Sequence, residues 1–589
     1  MRHKILQLFK GGMVLALIAF SSCGKDFLEP KPLSSFVPEN TYVNKEAMTT
    51  LLNSCRHKLK QEFINDNPLL CTEYNISDIA VPGETAPQSL KNLDEQLTPY
   101  GAGNSKILDN SDSSGETSYW AVCWGAVKSA NTVITRHILA TYKSEDEKNM
   151  VLAEGYFHRA YWYYRIVNQY GDVPYIGEEI LTPKVDLVTA SRKSILKQMK
   201  TDMMFAVKWL PAKPAFGEVS KYAGYHLLAK IYLALGEFDN AIEAASEVID
   251  KSHHQLMKVR FGKYKNDGIH DVIWDLFRKE NISISENTEG ILVGQDRVDS
   301  RNNGSSSGGT ERTRQYGPFW LGVPGMIRSG EQYQYLLRGI ARTRPSYYMS
   351  YGLWDNAGND KRHTWPNWFP LDSLKYNDPS KANYGQYVDK SASTDTIRQW
   401  FPFQHYKIVV PDEVRDPLTN NDSRGGFSDI YIFRLAETYL LRAEAYVWKN
   451  RKDLAVKDVN EVRGRAGATL AAESEIDIDY ILDERARELY VEEPRKTELT
   501  RITFIMADQK LNGYSTDNMH QKNFYYDRVM RTNNYFSQQV VAGGVAFKMS
   551  SYHYLWPIPQ KDIKANVSGH INQNLGYSGS ENNKPPVEF

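Results

Sequence analysis

Residues 219–250 read VSKYAGYHLLAKIYLALGEFDNAIEAASEVID, and this stretch decides the fold. Apolar and small residues recur at helical spacing on both sides of a break at Gly236. Small side chains at Ala229, Ala241 and Ala245 would let two antiparallel helices approach closely. The spacing matches the tetratricopeptide repeat, a helical hairpin that cannot bury its apolar face alone. It therefore predicts neighbouring hairpins of the same kind.

Other parts of the chain carry the same helical periodicity, and together they predict an all-α protein. The predicted helices are Glu39–Phe63, Tyr119–Tyr142, Glu145–Tyr170, Ser191–Trp209, Ile430–Lys449, Asp453–Arg465 and Ile476–Val491. Residues 430–465 have the stacking face of the first hairpin. We therefore predict helical repeats over about 39–257 and 429–495, interrupted by a loop-rich insertion over about 258–428. An irregular tail is expected over about 503–589.

The first residues have the pattern of an export signal. A basic start at Arg2 and Lys4 precedes a short apolar run, Gly11–Phe20, and two serines then precede Cys23. The run is too short to span a bilayer. The pattern resembles a bacterial lipoprotein signal, which predicts a signal peptide at 1–22, a lipidated Cys23, a tether at 23–38 and a single domain at 39–589. The alternative is an ordinary secretory signal followed by an incidental cysteine.

Charge and cysteine content limit the classes of function. Lys plus Arg and Asp plus Glu are both 71, so the net charge is zero. This balance excludes the basic excess that is typical of nucleic-acid binders. Four cysteines in 589 residues form neither a disulfide framework nor a zinc motif. Whether Cys55 and Cys71 pair is left open at this point.

Four stretches resemble the SusD/RagB family of outer-membrane nutrient-binding lipoproteins. They are CGKDFLEP from Cys23, AEGYFHRAYWYYRIVNQYGDVP at Ala153–Pro174, Arg434–Gly467 with Ile481–Ile502, and YLWPIPQKDIKANVSGHINQNLGY at Tyr554–Tyr577. Taken together they span most of the chain. One departure is the sequence EPRKTEL at Glu493–Leu499, where many members read EG-x-RW-x-DL, and it suggests a particular subgroup.

The resemblance implies a scaffold of tetratricopeptide-like repeats with irregular loops on the opposite side. It also implies a protein on the cell surface, anchored by lipid in the outer membrane, that is a partner of a TonB-dependent, SusC-like transporter. Most such proteins bind oligosaccharides or polysaccharides and are not enzymes. Because the family binds sugar with loop aromatics and not with these motifs, no binding residue transfers by position.

Sugar binding needs flat apolar faces that stack on pyranose rings, with polar groups nearby for the hydroxyls. The insertion supplies such aromatics, and two earlier loops add further candidates. The candidate carbohydrate-binding residues are Trp320, Tyr347, Tyr348, Tyr351, Trp354, Trp365, Trp368, Tyr100 and Asp78. The alternative for each ring is that it packs beneath the loops as part of a core.

Two other classes of function stay open on the sequence alone. A surface glycoside hydrolase would need two carboxylates placed across a cleft, and no motif pairs them. A pure interaction scaffold, whose repeats bind a peptide or the transporter without a small ligand, would be favoured if the insertion aromatics were buried. A lipoprotein that binds peptides or another nutrient is the alternative in cargo. The charged residues Arg485, Glu488 and Glu492 are interpreted as structural ion pairs. We predict no cofactor and no metal motif, although the Asp- and Asn-rich insertion would permit Ca²⁺.

Overall fold

The computed structural model describes residues 41–64, 68–86, 89–101, 107–108, 118–297, 310–410 and 426–589. The predicted signal peptide, Cys23 and the tether lie outside these residues. The described α-helices, in chain order, are α1 Lys45–Lys60, α2 Leu69–Asn75, α3 Leu93–Gln96, α4 Tyr119–Arg136, α5 Glu145–Tyr170, α6 Arg192–Trp209, α7 Lys221–Ala234, α8 Phe238–Ile249, α9 Val272–Leu276, α10 Arg312–Tyr316, α11 Gly330–Leu336, α12 Tyr347–Ser350, α13 Thr396–Gln399, α14 His405–Ile408, α15 Leu435–Trp448, α16 Lys452–Ala466, α17 Ile478–Leu489, α18 Arg495–Asp508, α19 Phe524–Thr532, α20 Asn534–Ser537 and α21 Gln560–Ala565.

Strands are short and occur in antiparallel pairs. The described strands are β1 Ala80–Pro82, β2 Val173–Pro174, β3 Thr189–Ala190, β4 Gly290–Gly294, β5 Thr343–Pro345, β6 Trp368–Phe369, β7 Phe403–Gln404, β8 Ile430–Arg434, β9 Val541–Ala542 and β10 Val545–Ala546. They pair as β1 with β5, β2 with β3, β4 with β8, β6 with β7 and β9 with β10. The helical fold class predicted from the sequence is confirmed.

The predicted hairpin is α7 and α8, and its ends follow from local chemistry. Ser220 caps α7 by accepting a hydrogen bond from the backbone N–H of Ala223 at 3.0 Å. Gly236 has a φ of 74°, a conformation that glycine adopts without strain, and this allows the chain to reverse between the helices. Ala241 and Ala245 are buried where the helices meet.

The second predicted hairpin, α15 and α16, packs directly against the first, because α8 contacts α15 along its length. Phe238 and Trp448 stack there with ring centroids 5.8 Å apart. Arg442 donates hydrogen bonds to Ser246 at 2.9 Å and to Asp250 at 2.7 Å. Two hairpins that lie far apart in the sequence therefore share one stack.

The described residues between these hairpins contain short helices, 3₁₀ turns and strands, none longer than the seven residues of α11. The predicted start of the helix at Ile430 is wrong. Residues Ile430–Arg434 form β8, which pairs with β4, so that α15 begins at Leu435. The sequence IYIFR is buried at every position, and its β-branched and aromatic residues suit a strand covered on both faces.

Among the described helices longer than seven residues, two are absent from the sequence prediction. Helix α18 buries 12 of its 14 residues, four of them charged, so it shows no apolar stripe. Helix α19 lies in the tail that the sequence predicts to be irregular. Both helices form ion pairs with residues that are distant in the sequence. The spacing of apolar residues does not reveal such pairs.

A buried ion cluster joins the insertion to the helical repeats. The carboxylate of Glu488 on α17 accepts hydrogen bonds from Arg434 of β8 at 2.6 Å, from Arg362 of the insertion at 2.9 Å, and from Arg465 of α16. One turn earlier, Glu484 accepts from Arg362 at 2.8 Å. All five side chains are buried. The structural interpretation of Glu488 and its charged neighbours is confirmed.

The cluster keeps its carboxylates ionised. Burial raises the pKa of Glu488, but the guanidiniums of Arg465, Arg434 and Arg362 outweigh it and hold the pKa below the ordinary range. Burial also raises the pKa of Glu484, but the neighbouring arginines outweigh this effect and lower the pKa to about 2. Removing one partner would leave opposite charges buried without compensation.

The three described cysteines, Cys55, Cys71 and Cys123, are buried free thiols, so Cys55 and Cys71 do not pair. Within the described ranges, no helix has the length and apolarity that crossing a bilayer requires.

Glu488→Gln is expected to destabilise the protein by about 3–5 kcal/mol, because it leaves buried guanidiniums undercompensated. Urea denaturation, followed by circular dichroism, measures this change. Glu461→Gln is the matched control, since Glu461 pairs with Lys258 on the surface at 2.8 Å. The control should cost less than about 0.5 kcal/mol. Equal effects of the two substitutions would contradict the role of the cluster.

Acid should weaken the cluster. The folded pKa of Glu484 lies near 2, below its ordinary value of 4.5, so the stability it contributes is complete above pH 4.5 and is lost as the pH falls towards 2. Urea unfolding at a series of pH values should therefore show a decline in that window. In Glu484→Gln the decline should be shallower, and an unchanged slope would contradict this assignment.

Candidate ligand-binding cleft

An open cleft of about 360 Å³ lies on the insertion, where the tail meets it. Its exposed aromatic residues are two tyrosines one helical turn apart, Tyr347 and Tyr351. Their ring centroids are 5.0 Å apart, and 65% and 47% of the two side chains are exposed. The residues lining the cleft are Arg344, Pro345, Tyr347, Ser350, Tyr351, Asp372, Lys390, Trp400, Pro402, Asn534 and Tyr535.

Local contacts fix the tyrosine pair in place. Ser346 caps α12 by accepting from the backbone N–H of Met349 at 3.3 Å. The backbone N–H of Tyr347 donates to Oδ1 of Asn534 at 2.9 Å, which brings the start of α20 to the cleft. The backbone N–H of Ser346 donates to the carbonyl of Ile79 at 2.7 Å.

Charged groups stand beside the tyrosines. The guanidinium of Arg344 donates to the carbonyl of Thr396 at 3.0 Å and lies over the ring of Tyr535, 5.3 Å from its centroid. Burial lowers the pKa of Arg344 below its ordinary value. Asp372 and Lys390 are exposed at the rim. The cleft therefore offers aromatic faces for stacking together with donors and acceptors of hydrogen bonds.

The candidate Asp78 is not available to a ligand. Its carboxylate is fully buried and accepts from Arg495 on α18 at 2.8 and 2.7 Å and from Arg528 on α19 at 3.0 Å. Burial raises the pKa of Asp78, but these two guanidiniums prevail and hold it below its ordinary value. Because Asp78 directly precedes Ile79, this clamp positions β1 and the start of α12.

Three candidate tryptophans are also buried. Trp320 is 1% exposed, and its indole N–H donates to the carbonyl of Leu337 at 2.8 Å. Trp354 donates to the carbonyl of Met349 at 2.9 Å and stacks on His363. Trp368 packs against the same histidine, with centroids 4.2 Å apart. These rings form a core beneath the loops, so they cannot stack on a ligand.

The three remaining candidates, Tyr348, Trp365 and Tyr100, differ in how exposed they are and in what they contact. Tyr348 is half-buried, and its hydroxyl donates to Asp483 at 2.7 Å. Trp365 is 58% exposed and packs on Tyr335, with centroids 5.6 Å apart. Tyr100 is 63% exposed in a turn. Trp365 and Tyr100 do not line the cleft, so of the nine candidates the structure brings Tyr347 and Tyr351 together there.

Two protein-family profiles match this chain. The profile described as "SusD family" matches residues 289–577, and the profile described as "Starch-binding associating with outer membrane" matches residues 26–233. The chain belongs to the SusD/RagB family. The family resemblance inferred from the sequence motifs is thus confirmed.

Named relatives of this SusD/RagB protein are distant in sequence. "SusD-like protein P2" of Formosa agariphila is 23% identical over 407 residues, which are 62% of this chain and 74% of that protein. A "Laminarin binding SusD-like protein" has a TM-score of 0.62 and 19% identity, covering 91% of this chain and 100% of that one. "Surface glycan-binding protein A from Bacteroides thetaiotaomicron in complex with laminarihexaose" has a TM-score of 0.62 and 19% identity, covering 90% and 100%.

Within this SusD/RagB fold, several cleft residues escape prediction from the sequence. Arg344 lies in a short strand, Asp372 and Lys390 lie in short 3₁₀ helices, and Asn534 belongs to the distant tail. No motif connects these positions. The concentration of aromatics at 347–368 identified the correct part of the chain but did not distinguish exposed rings from buried ones.

The part of the chain that the structure describes shows no group of side chains typical of a metal site. There, no three His, Cys, Asp or Glu side chains are grouped so that they could hold a metal ion.

The assignment of buried and exposed rings predicts different stability costs. Trp320→Ala should destabilise the protein by about 3–5 kcal/mol, because it removes a fully buried ring. Tyr347→Ala should change the free energy of unfolding by less than about 1 kcal/mol, because its ring is largely solvated. Urea denaturation of both variants measures the difference. A similar cost for both would contradict this assignment.

Proposed function

We propose that this protein binds oligosaccharides at the cell surface and delivers them to a TonB-dependent, SusC-like transporter without chemical change. The observation that carries the proposal is the exposed Tyr347–Tyr351 pair inside a concave surface that also bears polar groups. The names of the structural neighbours support a glycan as ligand, because two of them refer to laminarin or laminarihexaose.

The chemistry of the cleft suits a sugar. The C–H faces of a pyranose ring are apolar and would pack on the tyrosine rings, which lose little conformational entropy on binding. Hydroxyl groups around the sugar edge could exchange hydrogen bonds with Asn534, Asp372 and Lys390. Stacking and hydrogen bonding together give orientation and shape selectivity.

A hydrolytic function is less well supported. Glycoside hydrolases use two carboxylates on either side of the scissile bond. Among the described residues that line the cleft, Asp372 is the one carboxylate. A scaffold for peptides or another nutrient is the remaining alternative, and the exposed tyrosine pair favours a small ligand over a purely structural role.

The proposed location depends on the N-terminus. We propose that Cys23 is lipidated after removal of residues 1–22 and that the acyl chains hold the protein in the outer membrane, facing outward. The second matching profile, whose description refers to the outer membrane, supports this location.

Cys23→Ser should release the protein from the membrane fraction, because it removes the atom that would carry the lipid. Cell fractionation with immunoblotting measures this change, and metabolic labelling with a radioactive fatty acid tests the modification itself. Unchanged membrane retention without labelling of the parent protein would contradict lipidation.

Tyr347→Ala and Tyr351→Ala should each weaken oligosaccharide binding about tenfold, because each removes one stacking face. Calorimetric titration with a panel that includes laminarin oligosaccharides, starch oligosaccharides and acidic glycans measures the affinity. Tyr384→Ala is the matched control, since Tyr384 is 58% exposed but does not line the cleft. Unchanged affinity in both cleft variants would place the binding site elsewhere.

A further inference from the structure

We propose that the glycan bound in the cleft is anionic, with a carboxylate or sulfate group on a sugar that stacks on Tyr347 and Tyr351. This inference rests on the proposed function and specifies the class of ligand. Its basis is the charge of the cleft: two cationic side chains, Arg344 and Lys390, share the lining with one carboxylate, Asp372.

Arg344 is a half-buried cation whose hydrogen-bond partners are neutral. Its Nη1 donates to the carbonyl of Thr396 at 3.0 Å and its Nη2 to the carbonyl of Trp400 at 3.5 Å. Its Nε is buried and has no hydrogen-bond partner in the structure. The guanidinium lies 5.4 Å from the ring centroid of Phe401 and 5.3 Å from that of Tyr535.

Arg344 differs from two fully buried arginines, Arg495 and Arg501, which have acidic partners. Arg495 pairs with Asp78 at 2.7 Å, and Arg501 pairs with Glu444 at 2.6 Å. A cation that is partly removed from water and has no adjacent opposite charge is disfavoured, and an anion that reaches it offsets this cost. The negative charge of Asp395 acts on Arg344 and raises its pKa. The Asp395 carboxylate, however, accepts its hydrogen bonds from Thr85 at 2.7 Å and from the backbone N–H of Arg398 at 3.0 Å.

The rim adds a second cation. Lys390 is exposed, and the described residues provide it with no ion pair. Asp372 is the opposing charge at the rim, and it could accept a hydrogen bond from a sugar hydroxyl. The side chains that line the cleft thus carry a net charge of +1, next to an aromatic pair that is suited to a sugar ring.

A simple anion as ligand would not explain both the cationic side chains and the exposed tyrosines of the cleft. Phosphate or chloride would use Arg344 and Lys390 but would make no use of the exposed tyrosines. A neutral glycan would use the tyrosines but would leave Arg344 without a counter-charge. A uronic acid or a sulfated sugar uses both, because its ring can stack while its oxyanion forms charge-assisted hydrogen bonds.

The test compares matched pairs of ligands by calorimetric titration. One pair is oligogalacturonate and its methyl ester, and the other is an oligosaccharide of a sulfated galactan and its desulfated form. At least one anionic form should bind about tenfold more tightly than its neutral partner, and the difference should shrink at high salt. Comparing the two pairs distinguishes carboxylate from sulfate.

Charge variants test the assignment to these residues. Lys390→Gln and Arg344→Gln should each weaken binding of the anionic form about tenfold and binding of the neutral form much less, because only the anionic form loses a charge-assisted hydrogen bond. Asp372→Asn should strengthen binding of the anionic form, because it removes the like charge. Lys381→Gln is the control, since Lys381 is exposed and lies outside the lining. If Arg344→Gln does not fold, the two rim variants decide.

The outcomes separate this inference from the proposed function. If anionic and neutral forms bind equally, or if the rim variants change nothing while Tyr347→Ala still weakens binding, the inference is wrong and the glycan-binding function stands. Binding of neutral glycans alone also overturns the inference. If no glycan of either kind binds, both proposals fail.

Discussion

The carboxylate of Glu488 receives three guanidiniums, and the arrangement of the molecule depends on that contact. Arg434, Arg465 and Arg362 come from a strand, a repeat helix and the insertion. Because a buried charge without its partners is strongly destabilising, these segments must meet at one place. The cluster therefore specifies how the irregular insertion sits on the regular helical stack, which hydrophobic contacts alone would specify less sharply.

A second buried contact positions the cleft. Asp78 is held by Arg495 and Arg528, and the next residue, Ile79, fixes the backbone just before α12. The paired strands β1 and β5 place Arg344 at the same site. Helices that carry no ligand residue thus determine where Tyr347 and Tyr351 stand. Rigid support of this kind suits a surface that selects ligands by shape.

Sequence reasoning succeeds where apolar periodicity governs structure. The hairpin at 219–250 and the helices at 145–170 and 192–209 have clear patterns, and the structure places helices there. It fails for α18, which buries four charged residues among its apolar ones, and for β8, which is buried on both faces. Trp320 and Tyr347 look alike in sequence, but their burial depends on contacts with distant residues. Asn534 has no local signal that connects it to the cleft.

We propose that the cleft beside Tyr347 and Tyr351 holds the ligand, and a crystal structure of the protein with a bound oligosaccharide would test this proposal. We expect a sugar ring stacked on one or both tyrosines, with its polar groups within hydrogen-bond distance of Arg344, Lys390 or Asn534. A sugar bound at Trp365, at Tyr100 or on the helical repeats, with the cleft empty, would contradict it.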